Sequence, residues 1–185
     1  MQKKGETRGD EFLSIKKYIE QRHGRESLRL VEEEMTRIGY PLSFEEAASQ
    51  EWFSEPMFVL TLLTAKRLLG WQNLFDIGYS SPKFSLGIRL FMKFSSMKRV
   101  FEECAKTWNK FMNFGQLEPY QFSEEKKYAV LRLKGYDLHP EMCEYYRGLF
   151  LRIAQYVKKA KEITTEETAC LYKGAKYHEY MIKWR

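Results

Sequence analysis

The chain closes on Cys170–Leu–Tyr–Lys–Gly174–Ala–Lys–Tyr–His178–Glu–Tyr–Met–Ile–Lys–Trp184, and no other stretch limits its fold as strongly. From 177 to 184 the residues alternate as in a strand. His178, Tyr180, Ile182 and Trp184 share one face, and Glu179 and Lys183 share the other. The preceding stretch, 161–170, is rich in β-branched residues. Gly174 lies between the two and can take positive φ without steric cost. The end of the chain is thus a hairpin that closes a sheet. Cys170 and His178 share a face if directly opposed residue numbers sum to an even value, and a one-residue slip separates them across the sheet. The large apolar members of the His178 face should point to the core and leave His178 at its margin. The expectation is that the two side chains lie near each other without an obligatory metal.

Upstream the periodicity is helical. Asp10 is placed to cap a helix to about His23, and Leu28, Val31, Met35 and Ile38 mark one face of a second. Ser43–Phe–Glu–Glu46 is a capping-box pattern. Trp52 and Phe53 read as a link to a buried helix over 55–69, and Gly78 and Gly87 interrupt short helical pieces between 70 and 90. Met97, Val100, Phe101, Cys104, Trp108, Phe111 and Met112 predict one unbroken helix, with Gly115 as its stop. The pattern then changes to strands over 117–122 and 127–135, with Ala129, Leu131 and Leu133 facing the core. A helix over 140–157 turns Met142, Tyr145, Tyr146, Leu149, Phe150 and Ile153 inward. The order predicts an α+β fold: a helical N-terminal part (1–115), then a β-β-α-β-β antiparallel sheet (116–185) with a closing C-terminal hairpin, all one domain.

Composition excludes several classes. The 185 residues suffice for a buried core, and a 16% aromatic content suits a packed or pocket-lined fold rather than disorder. Met1 to Asp10 has no apolar run, so no signal peptide is expected. The most apolar stretch, 57–69, includes Lys66 and Arg67 and is too short for a membrane span. Three cysteines form no disulfide framework, which predicts a cytoplasmic protein with reduced thiols. The net charge is +6, yet the basic pairs (Lys3–Lys4, Lys16–Lys17, Lys126–Lys127, Lys158–Lys159) are dispersed, so nucleic acid is not an expected partner.

The anchors His139–Pro140–Glu141–Met142–Cys143, Gly148 and Cys170–x3–Gly174–x3–His178–x–Tyr180 resemble the ending of 4-vinyl reductase-type domains, although His178 stands where those relatives commonly carry a second cysteine. The longer frame, with Trp52 and Trp108 before the strands, is similar to a bacterial family of uncharacterised proteins of about this length. Both look like members of the wider fold of haem-nitric-oxide-binding sensor domains and TRAPP vesicle-tethering subunits. The resemblance implies a non-enzymatic sensory or regulatory domain for a small apolar ligand, signalling to a separate partner. The alternative is an interaction module working by homodimerisation or partner docking, suggested by the 57–69 helix and Trp52–Phe53.

Candidate residues follow. Cys104, Trp108, Phe111, Tyr145, Tyr146, Leu149, Phe150 and Ile153, on the two helices expected to flank the sheet, are the candidate ligand pocket. If a metal binds, His139, Cys143, Cys170 and His178 are the ligand set, although their spacing is not that of a zinc finger. No cofactor is expected. The haem-binding relatives carry their proximal histidine on a helix before the sheet, and here the 97–114 helix offers only Cys104. No nucleophile–base motif or phosphate loop occurs, and pairs such as Glu166–Glu167 read as solvent-facing, so no enzyme is expected.

Overall fold

A computed structural model of the chain describes residues 5–82 and 95–185. Lys3–Lys4 and Gly87 lie outside the described residues. The helical part contains α1 (Glu11–His23), α2 (Arg25–Arg37), α3 (Phe44–Ser49), α4 (Glu55–Leu69) and α5 (Phe75–Ser80). As the capping-box pattern requires, the Ser43 hydroxyl accepts the Glu46 N–H at the start of α3. The isolated glycine inside α5, Gly78, and Gly148 in the later helix have one cause. A Cβ on Gly78 would lie 2.0 Å from the Tyr145 carbonyl oxygen, and one on Gly148 would lie 2.2 Å from that of Phe75. Each helix presses its backbone onto the other at a residue with no side chain.

Two elements differ from the sequence reading. Trp52 and Phe53 are not a link: β2 (Trp52–Ser54) pairs antiparallel with β1 (Glu6–Arg8). The stripe from Met97 to Met112 is two helices, α6 (Met97–Glu102) and α7 (Cys104–Phe111). The second ends before Met112, which is drawn into a bridge with Thr7 while the Asn113 side chain accepts the Glu6 N–H at 2.6 Å. Pairing with β1 thus outcompetes another helical turn.

The sheet is built as expected from β3 (Gln116–Ser123), β4 (Tyr128–Lys134), β5 (Ile163–Ala169) and β6 (His178–Trp184), in the antiparallel order β3-β4-β6-β5. Helix α8 (Met142–Val157) crosses between β4 and β5 and packs on the face that carries Ala129, Leu131, Leu133, Tyr180, Ile182 and Trp184. Phe12, Leu62, Leu133, Tyr146 and Tyr180 belong to one continuous core. Helix α4 buries Phe58, Val59, Leu62 and Ala65 in that same core, so its apolar face is already occupied by its own chain. No helix among the described residues is long and apolar enough to cross a membrane.

Gly148→Ala must force α5 and α8 apart, so it should lower stability by about 2–4 kcal/mol. A thermal melt should show the loss as a fall of roughly 10 °C, whereas Gly135→Ala, with open space around it, should show only the smaller strain of its positive φ.

Candidate metal centre

The site starts from a register defect. From Ile163↔Trp184 to Glu167↔Tyr180, opposed residues of β5 and β6 have odd-summing numbers. In that register Cys170 would lie on the outer face. A β-bulge between Glu167 and Ala169 shifts the pairing to Ala169↔Glu179, which brings Cys170 in step with His178. The extra residue, Thr168, points outward and donates its hydroxyl to the Glu179 carboxylate at 2.9 Å. Two residues three apart, Glu167 and Cys170, therefore face the core together. In a regular strand they would not.

Helix α8 supplies the remaining ligand atom from its first turn. Cys143 Sγ lies 3.7 Å from Cys170 Sγ and 3.5 Å from His178 Nδ1, and that nitrogen lies 3.3 Å from Glu167 Oε1. All four ligand atoms fall within 4.8 Å of one another. A zinc ion with its usual bond lengths sets tetrahedral edges of about 3.8 Å between two sulfurs, about 3.5 Å between sulfur and nitrogen and about 3.3 Å between nitrogen and oxygen. The observed separations match those edges. The other ring nitrogen, His178 Nε2, lies 3.0 Å from the Tyr136 carbonyl oxygen. With its Nε2 proton donated to that carbonyl, the ring would leave Nδ1 free to hold a metal.

The electrostatics suit a cation. Burial, then Glu167 and Cys170 beside it, pushes the Cys143 thiol well above its ordinary value. Burial also works against the Glu167 carboxylate, but bonds from His178 and the two thiols hold it below its ordinary value. One anionic ligand and neutral sulfurs that ionise on binding would release protons as the metal enters.

Three of the four ligands expected from the sequence, Cys143, Cys170 and His178, are brought together, and His178 is 2% exposed, not at the core margin. It is drawn inward because Cys143, Glu167 and Tyr136 supply its polar partners. His139 is not part of the set: its Nδ1 accepts the Glu141 N–H at 3.2 Å, and it lines a surface cleft of about 460 Å³ with Lys66 and Trp71. Glu167 takes its place. Sequence reasoning read Glu166–Glu167 as solvent-facing, which holds for Glu166 alone.

The candidate pocket residues are core. Trp108 and Tyr146 rings lie 5.4 Å apart, as do Tyr145 and Tyr146, and Phe150 stacks on Tyr146 at 6.1 Å. Cys104, Leu149 and Ile153 pack half-buried on the edge of this cluster, and burial pushes the Cys104 thiol up to about 12. Phe111, also half-buried, offers its carbonyl to the Thr7 hydroxyl. The acids beneath the cluster leave no mark in the residue pattern. Glu55, wholly buried at the start of α4, accepts the Tyr136 hydroxyl at 2.5 Å through Oε1, while its Oε2 has no hydrogen-bond partner among the described residues. Glu11 accepts the Ser81 hydroxyl, and Ser81 meets the Tyr145 hydroxyl at 2.8 Å. Burial raises both carboxyl groups to about 7.

No protein-family model and no curated protein matches this sequence. Solved structures do. An H-NOX protein from S. oneidensis in the Fe(II)NO ligation state matches with a TM-score of 0.67 at 14% identity, over 96% of this chain and 99% of that one. An oxygen-binding H-NOX domain related to soluble guanylate cyclases matches with a TM-score of 0.62 at 13% identity, over 96% and 92%. A structure from work on haem distortion in the H-NOX family gives 0.61 at 15% identity, over 96% and 92%. The chain has the H-NOX fold. The likeness supports the haem-nitric-oxide-binding part of the sequence resemblance and does not bear on its 4-vinyl reductase or TRAPP parts.

The described residues do not fit haem. His178 is tied to the cysteine cluster, His139 faces the surface cleft, and His23 accepts the Trp71 indole N–H at 2.9 Å on an exposed edge. Between the helices and the sheet, the Tyr136 and Tyr146 rings meet edge to face at 5.0 Å and Phe150 and Tyr180 at 5.1 Å, so these aromatic side chains pack on one another.

Glu55 is protonated in the folded chain up to about pH 7 and ionises near 4.5 when unfolded. Its contribution is fully present below pH 4.5 and is lost as pH rises through 7. In the presence of a chelator, the thermal midpoint should therefore fall between pH 5 and pH 8. Glu55→Gln, which keeps the acceptor for Tyr136, should reduce that fall by roughly 5 °C.

Proposed function

We propose that the chain is a single, non-enzymatic sensory or regulatory domain of the H-NOX fold that carries no haem and is closed at its C-terminal hairpin by a tetrahedral zinc ion. The ligands are Cys143, Glu167, Cys170 and His178. The single observation that carries this reading is the agreement of the three close ligand separations, 3.7, 3.5 and 3.3 Å, with the edges of one zinc tetrahedron. A Cys₂HisGlu set with every position taken by protein is closed and structural, which agrees with a domain that does no chemistry of its own. Buried, reduced thiols suit a reducing, cytoplasmic setting.

The H-NOX relatives are described with iron-bound NO or with oxygen, so sensing a small molecule is the activity their fold supports by analogy. In this chain the aromatic interior around Trp108, Tyr145, Tyr146 and Phe150 is the place for a small apolar ligand, whose entry requires those rings to move. A signal would pass to a separate partner.

Native mass spectrometry of the gently purified chain should show one zinc per chain, an apolar adduct removable by organic solvent, and no haem mass or Soret absorbance. Chelation should lower the thermal midpoint by roughly 10 °C. Cys170→Ser should bring the midpoint to the chelated value and abolish the response to chelator. A metal-free, chelator-indifferent protein contradicts the zinc reading, and a stoichiometric haem contradicts the haem-free one.

A further inference from the structure

Basic pairs that are dispersed in the sequence are gathered by the sheet at one end. The β3–β4 turn carries Lys126 and Lys127, and the Trp184 N–H donates to the Lys127 carbonyl at 3.1 Å, so the end of β6 lies directly beside it. Lys183 opposes Tyr128 on one side and Thr164 on the other, and Arg185 exchanges backbone hydrogen bonds with Glu162 at 3.0 and 3.2 Å. The loop from α8 to β5 adds Lys158, Lys159 and Lys161, with Lys158 5.4 Å over the Trp184 ring. These seven basic side chains face three acidic ones, Glu124, Glu125 and Glu162, a surplus of four out of the chain's net +6. Lys158 pairs with Glu124 and Arg185 with Glu162. Lys126, Lys127, Lys159, Lys161 and Lys183 are exposed and have no ion pair to a described residue.

Two further features mark this end. A cleft of about 570 Å³ is lined by Lys158, Lys159 and Lys161 with Gln155, Glu162 and Ile163. Lys127 holds φ at +56°, the only left-handed non-glycine among the described residues. Glycine would relieve the strain there, yet a lysine stands at the tip of the turn with its charge in solvent.

We propose that this end of the sheet is a docking surface for an acidic segment of a partner protein, which lays its carboxylates along the Lys126–Lys127 turn and into the lysine-lined cleft. Charge complementarity identifies the partner: a surplus of unpaired cations attracts and orients a chain of carboxylates. An anionic membrane is the poorer fit. The apolar side chains of this end are covered, Trp184 being 5% exposed and Phe122 and Ile163 half-buried, so nothing is offered for insertion. Nucleic acid is poorer too, because no fully exposed aromatic ring lies among these lysines for bases to stack on.

The test is amide-resolved NMR on the full chain titrated with a deca-glutamate peptide, with phosphatidylcholine–phosphatidylserine vesicles and with a short DNA duplex. The peptide should move amides of 123–127, 158–162 and 183–185, with affinity falling as salt rises. A triple charge reversal at Lys127, Lys159 and Lys161 should weaken it on the order of tenfold or more. The alanine triple is the control if the reversal disturbs folding. Lys127→Gly is the sharpest arm: relief of the positive φ should raise the melting temperature while peptide affinity falls. Shifts scattered over other basic surfaces, an affinity unmoved by both triples, or tighter binding to vesicles or duplex would each overturn the proposal.

Discussion

The molecule depends on two helices touching where neither has a side chain. Gly78 of α5 and Gly148 of α8 let the backbones approach until a methyl group would clash with a carbonyl on either side. That contact fixes α8 against the helical part on one flank while the sheet holds it on the other. Everything of functional interest hangs from this helix. Cys143 sits in its first turn, Tyr145 meets Ser81, the partner of Glu11, Tyr146 packs edge to face on Tyr136, and Phe150 meets Tyr180 of the sheet at 5.1 Å. A helix free to slide would lose the cysteine cluster and the tyrosine cluster together.

A second constraint acts on the opposite side. Strand geometry alone forbids Glu167 and Cys170 from sharing a face, and one bulged residue, Thr168, reverses that rule. Tyr136 then joins the two buried polar systems. Its carbonyl lies against His178 and its hydroxyl against Glu55, so a single wholly buried residue spans from the cluster to the start of α4. Buried polar groups of this kind are tolerated only when they are partnered, and Glu55 Oε2, which has no hydrogen-bond partner among the described residues, belongs to a carboxyl raised to about 7.

Much of the fold was legible because it rests on period and punctuation. The alternation in 177–184 and in 127–135, the capping pattern at Ser43 and the apolar helix over 55–69 each reappear close to where the pattern places them. The stripe from Met97 to Met112 did not yield its true boundaries, since pairing of Met112 with Thr7 across about a hundred residues of sequence overrides local helical preference. The candidate site was legible in part. Cysteine and histidine announce themselves by type, so Cys143, Cys170 and His178 were visible. Glu167 was not, because a bulge leaves no periodic mark and a glutamate beside another glutamate reads as surface. Likewise the dispersed lysines became a patch only when strand order set the β3–β4 turn beside the chain's last residues.

The zinc K-edge absorption spectrum of the purified chain tests the central claim most directly. The expected spectrum has two sulfurs at about 2.3 Å and two nitrogen or oxygen atoms at about 2.0 Å, with the imidazole scattering of one histidine. A spectrum of six light atoms, or of four sulfurs shared between two chains, would contradict a closed Cys143–Glu167–Cys170–His178 centre.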